Sequence, residues 1–349
     1  EDVPEEQRSD CLIELAHADA WAAEQQDTRS AVTAWRRLAA TRWDLASDRI
    51  GAEAAFFIAC SQEPDLGPFR YAADLVDRAG AADAVEMIAR RTETLEQGEH
   101  EGLKGRLQAA AGWVAAQHGM FDRALDLSIA AIRSNPFQTD AVAVVERVAD
   151  GEEGIEALNL VYDIIASSAL GKFGVRAAHY RAARQLEQRG AHADALRHAV
   201  SAFEAVPSEG ACHALLLRLA SRCDDDDAAV RSMANVASSG APESRLTWLK
   251  RAAELATTSS HGRELRFDLF LSAFALDPSA ETVELLGAAT GELVEHRPDD
   301  EVVAIRFERA VTTVLHRLKG PRGAYTAIAL AEVATRILGA GRLAALALQ

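Results

Sequence analysis

The chain has 349 residues, of which 49% are hydrophobic and 26% charged, and its formal charge is −16. That is ample apolar material for a large core, while the acid excess repels a polyanion and so argues against nucleic acid as the main partner. No apolar run reaches the ~18 residues a membrane span needs, and no basic segment followed by an apolar one opens the chain. The expectation is therefore a protein without membrane insertion, with the cytoplasm as default compartment.

Alanine supplies 72 residues, about a fifth of the chain. Alanine loses no side-chain entropy in a helix and lets helices pack closely, so the excess points to an all-α protein. Lys occurs only at 104, 172, 250 and 319, which fits the coding bias of a GC-rich genome. No long alternating Val/Ile/Thr/Tyr stretch of the kind a sheet needs is present.

In chain order, residues 1–8 are acidic and expected to form a disordered tail, and 9–349 to form one continuous domain. Apolar periodicity predicts helices over 9–25, 28–43, 47–61, 68–80, 82–97, 101–118, 121–134, 138–150 and 153–170. The same reading continues over 173–189, 192–205, 208–222, 225–238, 242–258, 261–276, 279–296, 299–318 and 322–339. Breakers mark the joints, among them Asp65-Leu66-Gly67-Pro68, Ser134-Asn135-Pro136, Asp277-Pro278 and Arg297-Pro298. Turns this short make consecutive helices antiparallel.

One spacing occurs twice. Gly112, Gly119, Ala124, Leu125, Ala131 and Pro136 recur as Ala183, Gly190, Ala195, Leu196, Ala202 and Pro207, 71 residues later. Small residues at these places permit close helix approach, Gly supports the turn, and Pro ends the second helix. Two such units with room for one between them signal a stacked array of helical hairpins.

The unit 105–138 resembles the tetratricopeptide repeat (TPR), with Ala111-Gly112 in its first helix and Phe121, Ala124, Leu125, Ala131 and Pro136 in its second. The unit 176–209 matches at the small residues and Pro207, with Ala183 where the family usually has Gly. Between them, 138–171 keeps the register through Ala157-Leu158 and Ile164-Ile165 but lacks the Gly turn and the Pro. A further degenerate copy, 247–280, carries Ala273, Phe274, Asp277 and Pro278, with the bulky Glu254 at a position expected to be small. The resemblance implies a right-handed α-α superhelix.

It also implies a groove lined by the first helices and holding a peptide or helix of a partner protein. Carried over by position, the groove would take Arg106, Ala109, Ala110, Trp113 and Gln117 from one unit, and Thr139, Val142, Ala143 and Glu146 from the next. The third would supply Tyr180, Arg181, Arg184 and Gln188. Trp, Tyr and Arg bury much area while keeping a polar handle, so Trp113 and Tyr180 are the expected anchors. Arg181 and Arg184 beside an aromatic suit an acidic or carboxylate-ended ligand. The Lys and Asn with which chaperone-binding members grip a terminal carboxylate are missing from the corresponding places.

Nothing points to catalysis. The ten histidines are dispersed without an HExxH or a metal-ligand spacing, and Cys11, Cys60, Cys212 and Cys223 form no CxxC and read as free thiols. Asp224 to Asp227 lack the Gly turn and trailing Glu of a calcium loop and read as a helix cap. Gly171-Lys172-Phe173-Gly174 lacks the glycine spacing of a phosphate cradle. No catalytic residue, metal or cofactor is expected.

The function read from this is a non-catalytic protein-interaction scaffold. Two alternatives accompany it. The start at Glu1, without Met, suggests a regulatory segment of a larger signalling protein, and the apolar stretch from Tyr325 to Gln349 suggests self-association through the C-terminal helix.

Overall fold

In a computed structural model of the chain, the described residues are 5–63, 65–95, 101–240, 242–258, 262–296, 301–314, 317–337 and 339. Eighteen α-helices and no strand occur among them. The fold is all-α, and the chain divides into two compact units, Glu1–Ala169 and Leu170–Gln349.

The first unit holds α1 (Glu5–Glu24), α2 (Thr28–Ala46), α3 (Arg49–Gln62), α4 (Gly67–Ala79) and α5 (Ala81–Thr94), then α6 (Glu101–Gln117), α7 (Phe121–Ser134), α8 (Thr139–Val148) and α9 (Gly151–Ser168). The second holds α10 (Gly171–Gln188), α11 (His192–Ala205), α12 (Gly210–Arg222), α13 (Asp226–Ser239) and α14 (Pro242–Leu255). It continues with α15 (Gly262–Leu276), α16 (Ala280–His296), α17 (Glu301–Val314) and α18 (Gly320–Arg336). Helix α1 begins at Glu5, so residues 5–8, expected to be disordered, are helical. The remaining tail residues, 1–4, lie outside the described residues, as do 338 and 340–349 of the apolar C-terminal stretch.

Local chemistry accounts for the joints. Asp27 accepts the Ser30 amide at 2.9 Å, Asp48 the Gly51 amide at 2.9 Å and Asp225 the Ala228 amide at 3.0 Å, capping α2, α3 and α13. The Asp224–Asp227 run is thus a helix start, as its composition suggested. At the two corresponding turns, Gly119 and Gly190 take φ of 76° and 77°, a region open to Gly and costly to other residues. The copy over 138–171 does possess a turn glycine. Gly151 adopts φ 65° at the head of α9, displaced from the expected place because α8 is only 10 residues long.

Each hairpin closes through small residues. Gly112 of α6 faces α7 so closely that a Cβ there would sit 2.7 Å from Ser128 Oγ and 3.3 Å from the Ala124 carbonyl oxygen. In the second clear repeat the corresponding pair is Ala183 and Ala199, both fully buried, so bulk removed at one helix is returned at the other. Larger apolar side chains fill the remaining space: Trp35, Phe56, Tyr71, Leu75, Ile88 and Leu107 in the first unit, and Phe203, Phe267, Phe270, Phe274 and Phe307 in the second. Glu254, at the nominally small position of the degenerate copy, is exposed and leaves the packing undisturbed.

Ion pairs then tie several helices to the one two places on. Arg36 of α2 grips Asp74 of α4 through two bonds of 2.7 Å, and Arg91 of α5 bonds Glu53 of α3, which also accepts the Tyr71 hydroxyl. Arg123 of α7 reaches Glu86 of α5 at 3.1 Å, and in the second unit Lys250 of α14 reaches Glu281 of α16 at 2.7 Å. Arg306 of α17 pairs with Asp268 of α15, whose carboxyl is pushed up by burial against the pull of that guanidinium.

All four cysteines are free: Cys60 and Cys212 are buried, and burial with the nearby Glu63 pushes the Cys60 thiol up to about 12. Cys11 is exposed.

The Gly112–Ser128 contact yields a direct test. Gly112→Ala forces a methyl against Ser128 Oγ, and overpacking of this kind costs about 1–3 kcal/mol, against about 1 kcal/mol regained in helix propensity. The single variant is expected to unfold in urea at a lower midpoint. Adding Ser128→Ala recreates the Ala183–Ala199 arrangement and should recover most of the loss, because Ser128 Oγ has no hydrogen-bond partner to forfeit. Equal midpoints for the single and double variants would show that this contact does not limit helix approach.

Candidate functional site

Within the first unit, α6 lies among α4, α5, α7 and α8. That crowding buries Ala109 and Ala110 completely and removes both from the groove expected to include them. Val142 of α8 is buried for the same reason. Trp113 stands at the boundary: it is 40% exposed, and its ring meets the edge of Phe69 on α4 with centroids 6.4 Å apart at 84°. It therefore packs along one flank and presents the other to solvent. Arg106 lies two turns earlier and pairs with Asp65 at 2.9 Å, while Gln117 is exposed at the end of α6. Thr139 and Ala143 are exposed, whereas Glu146 is half-buried and accepts the hydroxyl of Tyr162 from α9, so it serves its own hairpin.

In the second unit, Tyr180, Arg184 and Gln188 fall at i, i+4 and i+8 along α10 and share a face. Tyr180 is half-buried, and Arg181, Arg184 and Gln188 are exposed. The structure adds residues the spacing did not single out. Glu187, one turn from Arg184, accepts Arg218 through two bonds of 2.9 Å and Arg222 through one of 2.9 Å, both from α12. The hydrogen bond from Arg218 is the main reason the Glu187 carboxyl lies below its ordinary value; burial opposes it, and the charges of Arg218, Arg222 and Arg184 reinforce it. Arg184, Arg218 and Arg222 set three positive charges against one carboxylate, a surplus of two on a chain of net charge −16.

The histidines are less dispersed than the sequence suggests. His179 of α10 and His198 of α11 bring their Nδ1 atoms to 2.8 Å, and Arg197 Nη2 lies 3.0 Å from His198 Nε2. A guanidinium only donates, so Arg197 donates to His198 Nε2, and one hydrogen is shared between the two Nδ1 atoms. His213 of α12 occupies an aromatic corner, 5.8 Å from Phe203 and 5.5 Å from Trp248 between ring centroids, with Arg251 5.0 Å over the Trp248 ring. Its Nε2 is buried without a hydrogen-bond partner. Burial first, and the Arg251 charge second, depress its pKa.

No family model matches the chain, and no curated protein matches it. Two solved structures align along most of its length. One is a circular tandem repeat protein with novel repeat topology, 14% identical over 97% of this chain and 95% of that one, with a TM-score of 0.26. The other is the Cut9–Hcn1 hetero-tetramer of the APC/C, 12% identical over 97% and 96%, with a TM-score of 0.25. At those scores the reading of this protein rests on its own geometry. Within each unit that geometry is a succession of packed α-helices.

Two pH effects follow. The depressed Glu187 pKa contributes stability that is complete above the unfolded value near 4.5 and is lost as pH falls through the folded value. Glu187→Gln should flatten the fall of the urea midpoint with pH in that acid range. The depressed His213 pKa acts in the same direction at higher pH: its contribution is complete above 6.5 and drains as pH drops below that toward the folded value. His213→Phe should remove the part of the stability change that wild type shows between pH 7.5 and 5.5. An unchanged slope in either variant would remove that residue from the account.

Proposed function

We propose that this chain is a non-catalytic protein-interaction scaffold that receives an acidic segment of a partner protein on the first helices of its hairpins. The observation that carries the reading is the bonding of Arg218 and Arg222 to Glu187, with the charge of Arg184 acting on the same carboxylate and Tyr180 within electrostatic reach of Arg218. Three guanidiniums around one carboxylate leave donors for a second, incoming carboxylate, and the half-buried Tyr180 offers a flat apolar wall beside them. Arg181 adds charge on the same helix. Trp113, with one flank on Phe69 and the other exposed, is the anchor of the first unit.

An acidic partner must overcome repulsion from the rest of the chain, so attraction comes from this local patch and weakens with salt. Arg184→Glu with Arg218→Glu should lower the affinity of a labelled Asp/Glu-rich peptide by about tenfold, or about 1.4 kcal/mol, and flatten its salt dependence, as read by fluorescence anisotropy. A fourfold alanine variant at Trp113, Tyr180, Arg181 and Arg184 that retains helicity should lose partners captured by the native chain. Equal binding by native and variant proteins would move the site off these helices.

A further inference from the structure

Along α16 and α18 the second unit opens a groove of about 670 Å³, within the range of sites that hold ligands, roughly 300–1,000 Å³. One glycine sets the helix approach here. A Cβ on Gly287 would meet Val333 Cγ2 at 2.7 Å, so its absence lets α18 settle close onto α16, whereas a Cβ on Gly291 would stand in ordinary contact with Ile337 Cδ1 at 3.7 Å. The result is a shallow trough with a floor of small and aliphatic groups, including Ala288, Val294 and Val333.

The rim is anionic. Glu284 and Glu295 on α16 and Glu332 on α18 are exposed and have no ion-pair partner among the described residues. Glu292 also lines the groove but is held at 2.5 Å by Arg266 of α15. Arg336 is the single cation of the lining. An apolar floor between rows of carboxylates is complementary to an amphipathic helix whose small or aliphatic stripe is flanked by Lys and Arg. A second copy of this chain, itself at −16, would bring further negative charge.

We propose that the α16–α18 groove docks a basic amphipathic helix of a partner protein. This site lies on other helices than the arginine grouping of α10 and α12 and selects the opposite charge. It does not depend on that reading.

The test uses the whole chain and two labelled helical peptides with the same Leu/Ala stripe, one flanked by Lys and the other by Glu. Anisotropy should show the Lys peptide binding at least about tenfold more tightly. Glu284→Lys with Glu332→Lys should lower Lys-peptide affinity by about tenfold and raise that of the Glu peptide. Asp122→Lys with Asp126→Lys on α7 makes the same change in net charge and should leave both affinities alone. Ala288→Trp, placed on an exposed position of the trough, should block both peptides. Arg184→Glu with Arg218→Glu should leave Lys-peptide binding intact, which separates this site from the acidic-peptide face. Equal losses from the α7 and groove charge reversals would overturn the proposal as general attraction to an acidic protein. So would concentration-dependent self-association abolished by Glu284→Lys, which would assign the groove to a second copy.

Discussion

Close approach of paired helices is the constraint on which the rest of this protein depends. Where Gly112 meets Ser128 there is no room for a Cβ at the same separation, and in the equivalent hairpin Ala183 and Ala199 are fully buried. Alanine-lined interfaces let backbones draw near, and each buried methyl contributes little alone, so stability accumulates over many small contacts. Large side chains such as Phe56, Tyr71, Phe203 and Phe270 close the spaces the alanines leave.

On that close-packed frame, charge sets the correspondence between neighbours. The pairs Arg36–Asp74 and Glu53–Arg91 span 38 residues, Glu86–Arg123 spans 37, and Glu187 reaches Arg218 and Arg222 over 31 and 35. These separations straddle one hairpin repeat, so each bond joins equivalent faces of successive hairpins. Exposed pairs contribute about 0–1 kcal/mol apiece. Two groupings matter for the surface: the arginines of α10 and α12 around Glu187, and the carboxylates along α16 and α18.

The two proposed binding surfaces follow from the same economy of small residues. Gly287 lets α18 settle onto α16, with the trough beside it. The crowded position of α6 buries Ala109 and Ala110 and leaves Trp113 as the exposed large apolar side chain among the described residues of that helix. A residue's place on a helix face therefore does not suffice to make it part of a binding surface. Its size relative to the neighbouring helices decides whether it emerges.

The sequence by itself determined the helices and the hairpin plan, because these depend on interactions a few residues apart. Alanine content, caps at Asp27, Asp48 and Asp225, and the turns at Gly119 and Gly190 are local, and the breakers placed most boundaries within two or three residues. Tyr180, Arg184 and Gln188 were legible as one face for the same reason, since helical periodicity alone aligns them. Only the tertiary structure decided that Val142 is covered, that Glu146 answers Tyr162, and that Glu187 gathers two arginines from α12. It likewise brought His179 to His198 and set His213 between Phe203 and Trp248. These outcomes depend on the distance between helices in space, which is set by the summed volumes of facing side chains and is not written in the spacing of any one helix.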